Sequence, residues 1–155
     1  MACGRGGATF HYYYGGNIGA LPDGRKAGTP LADGCLSPMQ GRDLKGPTAV
    51  ISSASKISHT QGVVTDGLFN MKFSRGLMQS RDNLQKLVAL IKTYNQRGGF
   101  HVQFNIQGAE TLREAQKHPD EYRDLVVRIA GYSAYFVELV PEVQNEIIAR
   151  TEHAL

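Results

Sequence analysis

The sequence predicts a mixed α/β fold that is incomplete on its own. Three observations lead there. Two short runs, 68–73 and 101–107, alternate apolar and polar residues as half-buried strands do. Beyond residue 80, apolar residues recur at three- and four-residue intervals, the spacing of helices with one buried face. Fourteen of the eighteen glycines fall in the first half, where ordering each residue costs entropy of roughly 1–2 kcal/mol. Residues 1–80 are therefore expected to pack on a larger body, and roughly the last 60 residues to be the most self-contained unit.

The chain opens with Cys3-Gly-Arg-Gly-Gly7, which lacks the Gly-Lys-Ser/Thr and the following helix pattern of a phosphate loop. Phe10-His-Tyr-Tyr-Tyr14 suits packing against a partner surface better than nucleic-acid stacking, which would come with a basic groove. Leu21-Pro-Asp-Gly-Arg25 is a turn signature, and turns continue through Gly34 and on to Gly46-Pro47-Thr48. Ala49 to Lys56 begins like a short strand that continues into a helix. In 68–73, Leu68, Asn70 and Lys72 fall on one face, and Phe69, Met71 and Phe73 on the other.

Ser80 or Asp82 can cap a helix carrying Leu84, Leu87, Val88, Ile91 and Tyr94, which Gly98-Gly99 ends. His101, Gln103, Asn105 and Gln107 then line one face of a strand, toward either solvent or a polar site. Ala109 to Lys117 reads as a short helix stopped near Pro119, followed by a further helical turn over Tyr122 to Leu125. Pro141 to Thr151 reads as a helix burying Val143, Ile147 and Ile148.

With 155 residues the chain can build one core of ordinary size, and its net charge of +3 is spread without a dense basic block, which argues against a nucleic-acid footprint. No apolar run reaches the ~20 residues of a membrane span, and no leader pattern is evident, so a cytoplasmic protein is expected. Cys3 and Cys35 read as free thiols. His59, His118 and His153 show no ligand-like spacing with them, so no metal site is expected.

Arg128-Ile129-Ala130-Gly131-Tyr132-Ser133-Ala134-Tyr135-Phe136 carries the functional argument. Residue type alone suggests a sharp turn or close backbone packing at Gly131, because glycine has no Cβ. The chemical alternative rests on a resemblance. The segment resembles the C-terminal signature of glycyl radical enzymes. So do, in order, Asp23–Gly28, Pro30–Gly34, Ser37-Pro38, Gly46–Thr48, Gly99–Asn105, Ala115–Pro119, Tyr122–Gly131 and Val143–Glu152. The resemblance implies the C-terminal part of a glycyl radical enzyme barrel: residues 1–80 completing or packing on the barrel, and 81–155 forming a helical, loop-rich glycyl radical domain.

It further implies that Gly131 stores an unpaired electron on its α-carbon, with Arg128 and Tyr132 as candidate supports of the loop. No cofactor is bound permanently. A separate activase using S-adenosylmethionine and an iron–sulfur cluster would install the radical, and the domain would swing between an exposed and a buried position. In the family the radical passes to a catalytic cysteine, commonly near a glutamate, on a loop upstream of everything present here. Cys35, in Gly-Cys-Leu-Ser-Pro, does not match that context and reads as a structural thiol.

Tyr132–Leu139 and Arg150-Thr151-Glu152 resemble the diol/glycerol dehydratase, choline lyase, hydroxyproline dehydratase, sulfite-lyase and arylalkylsuccinate synthase side of the family. The expected role is the radical-storing part of a lyase or dehydratase, as a fragment or split subunit. Its partners would be the activase and a larger barrel chain carrying the cysteine, or a second copy. The alternatives are a stand-alone replacement radical carrier, or an inert structural or binding domain of the same fold.

Overall fold

The computed structural model describes residues 10–34, 36–57, 67–150 and 152–153. Cys3, Cys35, His59 and the glycine cluster before Phe10 lie outside the described residues. Among the described residues, five α-helices, α1 (Phe10–Asn17), α2 (Pro47–Ala54), α3 (Arg81–Gln96), α4 (Ala109–Lys117) and α5 (Pro141–Ala149), accompany five short strands. β1 (Asn70–Phe73), β2 (Gln103–Asn105) and β5 (Glu152–His153) form a parallel sheet in the order β2-β1-β5. β3 (Val126–Arg128) and β4 (Ser133–Tyr135) form a separate antiparallel hairpin.

The apolar residues segregate into two clusters. The first joins Leu36, Val50, Ile51, Ala54, Phe69, Met71, Phe73, Leu77, Leu90 and Tyr94, with Val102 and Phe104 packed on it. The second joins Leu112, Ala115, Val127, Ile129, Phe136, Val143 and Ile147, uniting α4, the hairpin and α5. Strand β1 comes from residues 1–80, yet it lies between two strands from 81–155.

Helix α3 forms as its period predicts, with the Ser80 hydroxyl accepting from the Asp82 N–H at 3.2 Å and Gly98 at φ 88 beyond its end. Four expectations need correction. Residues 49–54 are helical from the start, because Pro47 sets the first turn and Val50, Ile51 and Ala54 fall on one buried helical face. β1 is buried at all four residues, not half-buried, because it is the central strand and both its faces are covered. Phe10–Asn17 forms a helix although no helix pattern is legible there. The single helical turn expected over 122–125 falls slightly earlier, at Pro119–Tyr122, where proline occupies the first position.

The glycine-rich loop 18–29 is organised by one cation. The buried Arg25 guanidinium donates to the carbonyls of Gly15 at 2.5 Å, Gly19 at 2.9 Å and Thr29. Further on, the Leu36 N–H donates to the Leu68 carbonyl at 3.3 Å and the Leu68 N–H to the Gly34 carbonyl at 2.6 Å. Gly34 has φ 61 and sits so close to Leu68 that a Cβ would collide with its backbone. That close approach fixes Leu68, whose side chain reaches the hairpin.

Candidate functional site at the hairpin turn

Gly131 occupies the tip of the β3–β4 hairpin. The Ile129 N–H donates to the Tyr132 carbonyl at 3.0 Å and closes the turn around Ala130 and Gly131. Gly131 takes φ 80, a conformation that disfavours any residue with a Cβ. Gly131 is exposed, while Ala130 and Ile129 before it are buried. A Cβ at Gly131 would lie 3.2 Å from Leu68 Cδ1.

Side-chain amides on the parallel sheet hold the turn from beneath. Asn105 Nδ2 donates to the Arg128 carbonyl at 2.6 Å, and the Arg128 N–H donates back to Asn105 Oδ1 at 2.8 Å. One side chain thus makes both bonds that a neighbouring strand would make. The Ile129 carbonyl accepts from Asn70 Nδ2 at 3.2 Å and from Arg150 Nη1 at 3.0 Å. The Gln103 side chain bridges Arg128 to Asn70, and Asn70 in turn donates to Asp33.

The candidate residues divide as follows. Arg128 Nε donates to Gln103 Oε1 and its Nη1 to Ser133 Oγ, both at 3.0 Å, which braces the hairpin across its own register pair. Tyr132 contributes its carbonyl to the turn, while its ring is exposed. His101, Gln103 and Asn105 all face protein: His101 Nδ1 accepts from the Phe69 N–H at 3.3 Å. That bond requires an unprotonated Nδ1, and burial together with the nearby Arg128 charge lowers the His101 pKa.

Asn70, Asp33, Leu68 and Arg150 are brought to the site without having been singled out as its residues. The Arg150 guanidinium is buried, 3.5 Å from Asp33 Oδ2 and 2.9 Å from Glu146 Oε2. Burial pushes the Glu146 carboxyl up. The His11 imidazole, 3.5 Å away, and the charge and hydrogen bonds of Arg150 outweigh it and hold the group at about 2. The only sequence cue to Arg150 was its place in the Arg150-Thr151-Glu152 block.

The chain belongs to the glycine radical family, whose match spans residues 32–137. It is 50% identical over 143 residues to the probable dehydratase YbiW of Escherichia coli, covering 92% of this chain and 17% of that protein. It is 44% identical over 146 residues to the isethionate sulfite-lyase of Bilophila wadsworthia, covering 94% and 18%. The solved structure of the glycerol-bound B12-independent glycerol dehydratase from Clostridium butyricum superposes with a TM-score of 0.89 at 48% identity, over 95% of this chain and 18% of that one.

The fold is therefore the C-terminal radical-domain portion of the glycyl radical enzyme architecture, and the family match crosses residue 80 without a break. The chain spans less than a fifth of the length of these relatives. Among the described residues, no helix is long and apolar enough to cross a membrane, and no group of three or more His, Cys, Asp or Glu is placed to hold a metal ion.

Proposed function

We propose that Gly131 stores a protein-based radical for delivery to a catalytic cysteine in a lyase or dehydratase, with this chain as the radical-storing part or split subunit. Activation removes one hydrogen atom from the Gly131 α-carbon. The remaining unpaired electron spreads onto the flanking amide nitrogen and carbonyl, which requires a centre that can flatten without a side chain meeting the backbone. The abstractor comes from a separate S-adenosylmethionine and iron–sulfur activase, so the chain itself needs no bound cofactor.

The observation that carries the reading is an exposed Gly131 at φ 80 on the hairpin tip, within a chain of this family. Arg128 stiffens the hairpin through Gln103 and Ser133, and Tyr132 closes the turn through its carbonyl. Val126, Tyr132 and Tyr135 leave an apolar outer face on the hairpin. A larger barrel body carrying the cysteine would cover that face and screen the radical from water. The names of the relatives support a dehydratase or lyase reaction, carried out in the cytoplasm.

The test is anaerobic activation with a competent activase, reductant and S-adenosylmethionine, followed by electron paramagnetic resonance. A doublet in the wild type that is absent from a folded Gly131→Ala variant is expected. A silent wild type, with the activase active on a full-length enzyme, would overturn the assignment.

A further inference from the structure

Leu68 is a leucine without an ordinary packing role. It is half-buried, and among the described residues it belongs to neither apolar cluster. Its backbone, by contrast, is held on both sides. The Leu68 N–H donates to the Gly34 carbonyl at 2.6 Å, and its carbonyl accepts from the Leu36 N–H at 3.3 Å. Gly34 makes that approach possible, because a Cβ there would collide with the Leu68 backbone. The next residue, Phe69, is fully buried, and its N–H donates to His101 Nδ1 at 3.3 Å.

Strand alternation then decides where the side chain goes. Leu68 and Asn70 project to the same face. Asn70 Nδ2 donates to the Ile129 carbonyl at 3.2 Å, so the alternate residue before Asn70 is brought beneath the alternate residue after Ile129, which is Gly131. Leu68 Cδ1 lies 3.2 Å, and Cδ2 3.9 Å, from the point that a Cβ on Gly131 would occupy. Apart from the chain neighbours of Gly131, no other described residue comes within 4 Å of that point.

Glycine carries two α-hydrogens. The pro-S hydrogen lies along the bond on which an L-residue carries its Cβ, so the Leu68 methyls stand in front of it. A group that gives or takes a hydrogen atom approaches along the C–H bond, and reacting atoms about 3–3.5 Å apart leave no room for a methyl between them. Gly131 is nevertheless an exposed residue, which leaves the approach from the opposite, pro-R side. Leucine also suits a screen chemically: it is bulky and carries no O–H, N–H or S–H hydrogen.

We propose that Leu68 is a positioning residue for hydrogen transfer at Gly131: with the turn seated as in this structure, it screens the pro-S side and confines hydrogen exchange to the pro-R side. The use of this screen rests on the radical-storage reading; the screen itself does not.

The chain is activated anaerobically, mixed into heavy water and quenched with the hydroxylamine of TEMPO, which then carries an O–D bond. That bond breaks, a C–D bond forms at Gly131, and the unpaired electron leaves on the stable nitroxide. After proteolysis, the chirality of the monodeuterated glycine is measured. Deuterium is expected at the pro-R position by about tenfold or more over pro-S, because entry from the other side must displace packed methyls. A folded Leu68→Ala variant should place deuterium at both positions nearly equally, and Leu68→Met should restore the preference. Equal labelling in the wild type, or an unchanged preference in Leu68→Ala, would overturn the proposal.

A second measurement needs no radical. In the resting protein, the Leu68 methyls should give a strong nuclear Overhauser effect to the pro-S α-proton of Gly131 and a weak one to pro-R. Equal effects, or none, would overturn the screen. The one-sided effect in a chain that forms no radical keeps the screen and refutes the storage reading; a radical quenched with deuterium at both positions does the reverse.

Discussion

Replacing Gly131 by alanine perturbs the turn in two separable ways. The first is conformational. At φ 80 an L-side chain is held where its Cβ crowds the following carbonyl, at a cost of roughly 1–2 kcal/mol. The second is steric: the new Cβ lies 3.2 Å from Leu68 Cδ1, so the leucine must give by a few tenths of an ångström. Leu68 is only half-buried and its side chain can move, whereas its backbone is fixed against Gly34. The conformational cost should therefore dominate. In a chain of this size each kcal/mol corresponds to roughly 2–4 °C, so a fall in Tm of about 2–8 °C is expected. Differential scanning calorimetry of Gly131→Ala, Leu68→Ala and the double variant resolves the parts. The double variant should recover the steric part and leave most of the loss. An unchanged or raised Tm for Gly131→Ala would refute the left-handed turn, since alanine stabilises wherever φ is negative.

Arg150→Met leaves Asp33 and Glu146 buried without their cation and should cost about 3–5 kcal/mol in urea unfolding. Arg150→Lys should recover only part, because a single ammonium cannot reproduce a fork shared among Glu146, Asp33 and the Ile129 carbonyl. The Glu146 carboxyl, held at about 2 against an ordinary 4.5, adds stability that is complete above pH 4.5 and is lost as pH falls toward 2. The urea midpoint should drop across that window, and Glu146→Gln should flatten the drop. His153 is lowered by burial, which outweighs the attraction of Asp43, so a further loss begins as pH falls below its ordinary 6.5; His153→Gln should remove that part of the slope. Ile147→Ala, at a fully buried position of the second cluster, should cost about 2–5 kcal/mol by urea unfolding.

Periodicity carried the legible part of the fold. α3 and α5 announced themselves by their apolar spacing and by Ser80 and Pro141 at their starts. Val50 and Ile51 read as strand because β-branched residues favour strands, but Pro47 and the packing of Val50, Ile51 and Ala54 in the first cluster decided for helix. β1 read as half-buried because Asn70 and Lys72 are polar; nothing local reveals that Asp33, Ile129 and Ile148 would satisfy them. The same limit applied at the site. A sharp turn at Gly131 could be read from the sequence, whereas a row of Gln103 and Asn105 looks identical whether it faces water or another backbone. Asp33 and Arg150 meet only after nearly the whole chain has folded between them, so their pairing left no local pattern to read.

The most direct test of the central claim uses isotopes. The chain is produced with glycine deuterated at the α-carbon, activated anaerobically, and compared with unlabelled protein by electron paramagnetic resonance. Loss of one hydrogen atom from Gly131 leaves a single α-proton coupled to the electron, so the unlabelled protein should give a doublet. The deuterated protein should give a collapsed, narrow line. A signal of the same shape in both samples would place the electron somewhere other than a glycine α-carbon and contradict the account.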